Sequence, residues 1–222
     1  MRKAAAIRTP AYCRPGRPKL IEVEQREEHI LRIAGETFLT SGFDGTSMDA
    51  VAEAARISKS TLYSRYSDKT TLFNAVLRDL INRWLIPIDE LQTQRGALRE
   101  TLLELARYLT TFALTRQSVE VYRVIISEAQ RRPEFGRLAN DVGRKPALQA
   151  IAAILRQHQS ELRPLDFDMA GEQFMSLTID NSLRQAHLGI KISSERIESW
   201  VRASVDLFLA GVKLDDAQRD RQ

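Results

Sequence analysis

Residues 46–69 read TSMDAVAEAARISKSTLYSRYSDK, and this stretch decides the fold. Thr46 is a suitable N-cap, and Asp49 three residues later makes a Thr-x-x-Asp variant of the capping box. The helix that follows, through Ala50, Val51, Ala54 and Ala55, places small residues on its inner side, which permits close helix crossing. Ser58 then caps a second short helix, Lys59 to Tyr66. Two short helices joined by so tight a turn make a helix-turn-helix, whose second helix can enter a major groove. Ser67 or Asp68 caps the next, longer helix.

The second helix has chemistry to match. Leu62 is its main apolar residue and should anchor it to the body. Lys59, Ser60, Thr61, Tyr63, Ser64, Arg65 and Tyr66 can all hydrogen-bond or carry positive charge. Hydroxyls and aromatic rings can touch phosphates and thymine methyls, while Arg and Lys can pair with guanine edges or phosphates. An ordinary solvated helix would also be polar, so composition alone leaves both readings open.

Outward from this stretch the chain reads as helical almost throughout. Ile30, Ile33, Ala34, Thr37 and Phe38 follow the i, i+3, i+4 spacing of an amphipathic helix that should stop at Gly42. Leu72, Phe73, Val76, Leu77, Leu80, Ile81 and Trp84 repeat the spacing up to Pro87, and Leu98, Leu102, Leu105, Leu109 and Phe112 repeat it again. Further helices are readable around 119–131, 145–160, 169–188 and 195–212, with Pro133, Gly143, Pro164 and Gly189 in the breaks. No strand-like alternation is sustained, so the expected fold class is all-α. The divisions read as a basic arm (1–24), a helix-turn-helix domain with a linking helix (25–84), a C-terminal helical domain (85–214) and a tail (215–222).

With 222 residues and 43% hydrophobic content the chain can build a sizeable core, which rules out wholesale disorder. A single cysteine, Cys13, excludes an internal disulfide and a four-thiolate zinc site. His29, His158 and His187 lie too far apart in sequence to suggest a metal centre, and no cofactor is expected. No stretch approaches the roughly 18 apolar residues of a membrane helix, and proline and arginine interrupt any leader-like start. A cytoplasmic protein without a membrane partner is the default expectation.

The formal net charge of +4 is unevenly placed. Residues 1–21 hold Arg2, Lys3, Arg8, Arg14, Arg17 and Lys19 and no acid, giving +6; residues 22–84 hold 8 bases and 10 acids, giving −2; the remaining 19 of each cancel. The excess is therefore an N-terminal arm, suited to a polyanion such as nucleic acid or an anionic membrane, or to a solubilising role. Pro10, Pro15, Gly16 and Pro18 make it read as a mobile arm. Within it, Arg14-Pro15-Gly16-Arg17-Pro18-Lys19 contains Gly-Arg-Pro, the core of an AT-hook-like segment that could place Arg14 and Arg17 in a narrow minor groove.

Residues 26–77, REEHILRIAGETFLTSGFDGTSMDAVAEAARISKSTLYSRYSDKTTLFNAVL, resemble the DNA-binding domain of the TetR/AcrR family of bacterial transcriptional regulators. The pattern matches at Ala34, Phe38, Gly42, Thr46, Ala52, Ala55, Ser58, Lys59, Thr61, Leu62, Tyr63, Tyr66, Lys69 and Leu72. The resemblance implies a recognition helix at Lys59–Tyr66, with Thr61 and Tyr63 on bases or phosphates and Lys69 on the backbone of double-stranded DNA. Thr46, Ser47, Arg56, Ser58, Ser60, Ser64 and Arg65 complete the candidate DNA-binding set. Three positions depart from the pattern: Arg56 stands where glycine is usual in the turn, Ser60 replaces a frequent glycine, and Tyr66 a frequent phenylalanine. A left-handed backbone at Arg56 would cost roughly 1 kcal/mol.

The same resemblance implies that residues 85–222 bind a small-molecule effector inside a helical bundle and form a homodimer through the last two helices. No phosphate-binding loop, His-Glu-x-x-His or Gly-x-Ser-x-Gly occurs there, so no enzymatic activity is expected. The stretch VYRVIISEAQRRPEF (121–135) is similar to the corresponding part of an AefR-like subgroup. Trp84, Ile88, Tyr108, Phe112, Tyr122, Ile126 and Phe135 are candidate pocket residues, although aromatic residues at this spacing also serve as plain core. Phe174, Leu177, Leu183, Ile197, Trp200, Val201, Val205 and Phe208 are the candidate dimer face, with packing inside one chain as the alternative.

Overall fold

The computed structural model describes residues 20–93 and 96–214, and side chains within 24–82 and 96–214. Arg14, Arg17, Trp84 and Ile88 therefore lie outside the described residues or side chains. Among the described residues eleven α-helices follow one another: α1 (Leu20–Gly45), α2 (Met48–Ala54), α3 (Lys59–Arg65), α4 (Lys69–Thr93), α5 (Leu98–Ala113), α6 (Arg116–Glu128), α7 (Pro133–Ala139), α8 (Lys145–Gln157), α9 (Phe167–Met175), α10 (Asn181–His187) and α11 (Ser194–Val212). Among the described residues there is no strand, only one antiparallel bridge between Leu162 and Lys213. No helix among them is long and apolar enough to cross a membrane.

α1 is described from Leu20, inside the segment expected to be arm. It is interrupted where expected, at Gly42, whose φ of 70° and ψ of 178° are open only to glycine. α4 runs on through Pro87 to Thr93 instead of stopping at the proline. Gly143 likewise interrupts nothing: α7 and α8 are joined by a single π-turn, Asn140–Arg144.

A second π-turn, Ser176–Asp180, joins α9 to α10. A π-turn disturbs the regular hydrogen-bond ladder and leaves carbonyls to be satisfied elsewhere. Here the Leu177 carbonyl accepts from the Trp200 indole N–H at 2.9 Å and from the Ser204 hydroxyl at 3.0 Å, which ties α11 to the turn. Ion pairs reinforce α11 against α5: Arg99 with Asp206 at 2.7 Å, and Arg107 with Glu198, which also meets Arg202.

Two apolar cores result. The C-terminal core gathers Leu102, Leu105, Ala150, Ile151, Ile154, Phe174, Val201, Val205 and Phe208 from α5, α8, α9 and α11. The N-terminal core gathers Ile30, Phe38, Val51, Leu62, Leu72 and Phe73. It also takes Val121, Val124, Ile125 and Phe135 from α6 and α7, so the second half of the chain completes the core of the first. Phe43, Phe73 and Phe135 meet with ring centroids 4.6–5.5 Å apart, the edge-to-face and tilted arrangements favoured by aromatic quadrupoles.

Candidate nucleic-acid interface

Three short-range devices build the helix-turn-helix. Ser47, not Thr46, caps α2: its Oγ accepts from the Ala50 N–H at 3.1 Å. Thr46 is buried (3% exposed) and its hydroxyl donates to the Gly42 carbonyl at 2.7 Å. The reason is the positive φ at Gly42, which leaves that carbonyl without its helical partner and turns Thr46 inward to supply one. Thr46 therefore stabilises the corner and is not part of the exposed face.

The turn itself is a Schellman motif. The Arg56 N–H donates to the Glu53 carbonyl and the Ile57 N–H to the Ala52 carbonyl, both at 3.0 Å, with Arg56 at φ 55°. Arg56 is the one non-glycine residue at positive φ among those described, and its side chain is exposed. The expected left-handed backbone is present, and arginine occupies it.

Ser58 caps α3, accepting from the Thr61 N–H at 3.1 Å. Its Oγ also lies 2.9 Å from Ser60 Oγ and 2.7 Å from Thr61 Oγ1, a cluster of three hydroxyls at the start of the helix. Leu62 is fully buried and fixes the helix roll, as expected. The opposite face presents Ser60, Tyr63 (48% exposed) and Ser64, whose hydroxyl is turned onto the Thr61 carbonyl at 2.9 Å. Thr61 is half-buried at the edge of that face.

The flanking charges are already engaged. Lys59 pairs with Asp49 across the two helices at 2.6 Å, and that hydrogen bond raises the ammonium above its ordinary value. Arg65 meets Glu27 of α1 at 3.4 Å. Tyr66 is only 5% exposed, and its hydroxyl donates to Glu27 at 3.3 Å. Burial first, then the Glu27 charge and hydrogen bond, pushes its phenol up to about 12. Tyr66 is thus an anchor of α3 to α1 and does not belong to the outward face. Lys69, at the start of α4, donates to the Asp44 carbonyl at 3.3 Å and sits 4.7 Å from the Phe43 ring centroid.

The described candidate pocket residues fall in different surroundings. Phe135 is fully buried in the N-terminal aromatic core, so it lines no ligand site in the C-terminal bundle. Tyr122 (41% exposed) and Ile126 (55% exposed) face outward from α6, with Tyr122 stacked 4.7 Å from the His187 ring. Burial and the neighbouring Arg123 lower the His187 imidazole below its ordinary value. Tyr108 packs against the C-terminal core and Phe112 against the N-terminal one.

The dimer set divides in two. Phe174, Val201, Val205 and Phe208 are 0–5% exposed within a single chain, so they hold the protomer together and offer no face to a partner. Leu177, Leu183, Ile197 and Trp200 are half-buried. Leu207, 65% exposed one heptad after Trp200, joins this outer row, which the sequence reading merged with the adjacent inward row. Sequence reasoning also missed the charged corner made by Asp44, Glu128, Arg131 and Arg132.

Comparisons with known proteins agree with this geometry. Residues 30–76 match the model for bacterial regulatory proteins of the tetR family, and residues 100–211 match the AefR-like transcriptional repressor C-terminal domain. The chain is 38% identical over 66 residues to the HTH-type transcriptional regulator RutR of Escherichia coli, covering 30% of this chain and 31% of RutR. It is 24% identical over 196 residues to YvkB of Bacillus subtilis, an uncharacterised HTH-type transcriptional regulator, covering 85% of this chain and 97% of that one. A putative TetR-family transcriptional regulator from Mesorhizobium loti superposes with a TM-score of 0.78 at 25% identity, over 86% of this chain and 98% of its own. The flavonoid-responsive regulator FrrA gives 0.70 at 27% identity, over 86% and 98%. The chain belongs to the TetR family of transcriptional regulators, DNA-binding proteins of the repressor class, with a C-terminal domain of the AefR-like type.

Proposed function

We propose that the protein acts as a homodimeric repressor that leaves a near-palindromic operator when a small molecule binds its C-terminal domain. One observation carries the reading: α3 is clamped from behind by Leu62 and Tyr66 while Ser60, Tyr63 and Ser64 face outward. A helix so held can enter a major groove without shifting, with Tyr63 on bases or phosphates and Ser47, Arg56 and Lys69 on the flanking backbone.

Dimerisation supplies the second recognition helix. The outer row of Leu177, Leu183, Ile197, Trp200 and Leu207 is apolar surface suited to an isologous four-helix contact. Two recognition helices roughly 34–36 Å apart then read half-sites on successive major grooves. A ligand weakens binding by favouring a conformer with another helix spacing. That one structural neighbour is named for its response to flavonoids supports a small organic effector. A DNA partner also implies a cytoplasmic location. Selection of bound fragments from the source genome tests the reading: an enriched palindrome with half-sites one helical turn apart is expected, and no enriched motif overturns it.

A further inference from the structure

Asp44 is an unexpected residue for a face that meets phosphates. Its side chain is 53% exposed, it lies three residues before the Ser47 cap, and its own carbonyl accepts from Lys69 at 3.3 Å. A free carboxylate there would repel a polyanion and compete for the Lys69 ammonium. The compensation comes from the other half of the chain. Arg132, between α6 and α7, donates to Asp44 Oδ1 at 3.1 Å, and Arg131 stands 3.5 Å from Oδ2. Both arginines are held in turn by Glu128, which is 5% exposed. The Arg132 guanidinium also lies 4.5 Å from the centroid of the Phe43 ring, the ring that Lys69 also approaches. Three cations and two carboxylates leave one net positive charge; without the corner, Asp44 and Lys69 cancel.

We propose that Arg132 is a positioning residue for DNA binding: it neutralises Asp44 and so leaves Lys69 to a phosphate. Without Arg132, the Asp44 carboxylate competes for Lys69 and adds its own repulsion. Arg132 gives the α6–α7 corner an electrostatic hold on the DNA face that needs no movement of α3. This role rests on the reading of this face as the DNA interface.

The test is a salt series of fluorescence-anisotropy titrations with a mixed-sequence DNA duplex, using the full chain. Each lost phosphate contact flattens the slope of log K against log salt by about 0.9. Arg132→Ala should flatten it by that amount per protomer, about an eightfold change in relative affinity across a tenfold change in salt. Arg132→Lys should keep the wild-type slope, and adding Asp44→Asn to Arg132→Ala should restore it. Should Arg132→Ala fail to fold, Arg132→Gln carries the same test, removing the charge while leaving an amide beside Glu128. An unchanged slope overturns this role of Arg132, as does a flattened slope that Asp44→Asn does not restore, because that pattern belongs to lost packing. A wild-type chain that binds no DNA overturns the interface itself, and the role of Arg132 with it.

Discussion

Arg56→Gly should make the protein more stable and its hold on DNA weaker. Arg56 sits at φ 55° in the turn between α2 and α3, where an L-residue with a Cβ pays roughly 1–2 kcal/mol. Glycine removes that strain but adds about 0.4–1 kcal/mol of chain entropy to the unfolded state. The difference is a net stabilisation of about 0.8 kcal/mol, equivalent to a rise in Tm of about 2–3 °C for a chain of this size. The exposed guanidinium is lost at the same time, so a phosphate contact by Arg56 would show as a salt slope flatter by about 0.9. Thermal melts followed by far-UV circular dichroism and anisotropy titrations over a salt series read the two effects separately. An unchanged or lower Tm would refute the strain argument. A raised Tm with an unchanged salt slope would leave Arg56 without a role on DNA.

Three further outcomes are expected, two from particular contacts and one from the charge of the N-terminal segment. Phe135→Ala should destabilise the helix-turn-helix by about 3–5 kcal/mol, because a fully buried ring leaves the N-terminal core; calorimetry showing a loss confined to the C-terminal domain would contradict this. Glu198 is held at about 2, below its ordinary 4.5, chiefly by the Arg107 hydrogen bond. Its contribution is present above pH 4.5 and drains away as the pH falls towards 2, so Glu198→Gln should flatten the acid limb of a urea-stability profile in that window. Deleting residues 1–21, which carry six basic and no acidic residues, should make the salt dependence of DNA binding less steep, and an identical slope would show a passive tail.

The helix-turn-helix was legible in the sequence because its determinants are local. The Ser58 cap, the Leu62 anchor, the Gly42 break and the backbone of Arg56 each depend on neighbours within a few residues. Thr46 and Ser47 are both good caps by type, and only the inward turn after Gly42 decides between them. Tyr66 is polar enough to suggest an outward role; Glu27, 39 residues away, draws it inward. Phe135 fits an aromatic helix face in the C-terminal half, yet α7 packs against α1 and α4, and long-range docking of that kind leaves no periodic trace. The same holds for the charge corner: Glu128, Arg131 and Arg132 show helical spacing to one another, whereas their partner Asp44 is 88 residues from Arg132. The apolar residues of α11 span two adjacent rows, which spacing alone does not separate. The inward row of Val201, Val205 and Phe208 serves the protomer's own core, and Trp200 and Leu207 stand outside it.

The most direct test of the account is a comparison of Tyr63→Ala with the wild-type chain on an operator fragment recovered by genomic selection and on a mixed-sequence duplex. Tyr63 is exposed on the outward face of a helix anchored elsewhere, so its loss should leave helical content and non-specific binding unchanged. Specific affinity should fall by about tenfold or more, the scale of about 1–3 kcal/mol for a lost base contact. Equal specific affinity for the two proteins would contradict the assignment of α3 as the recognition helix.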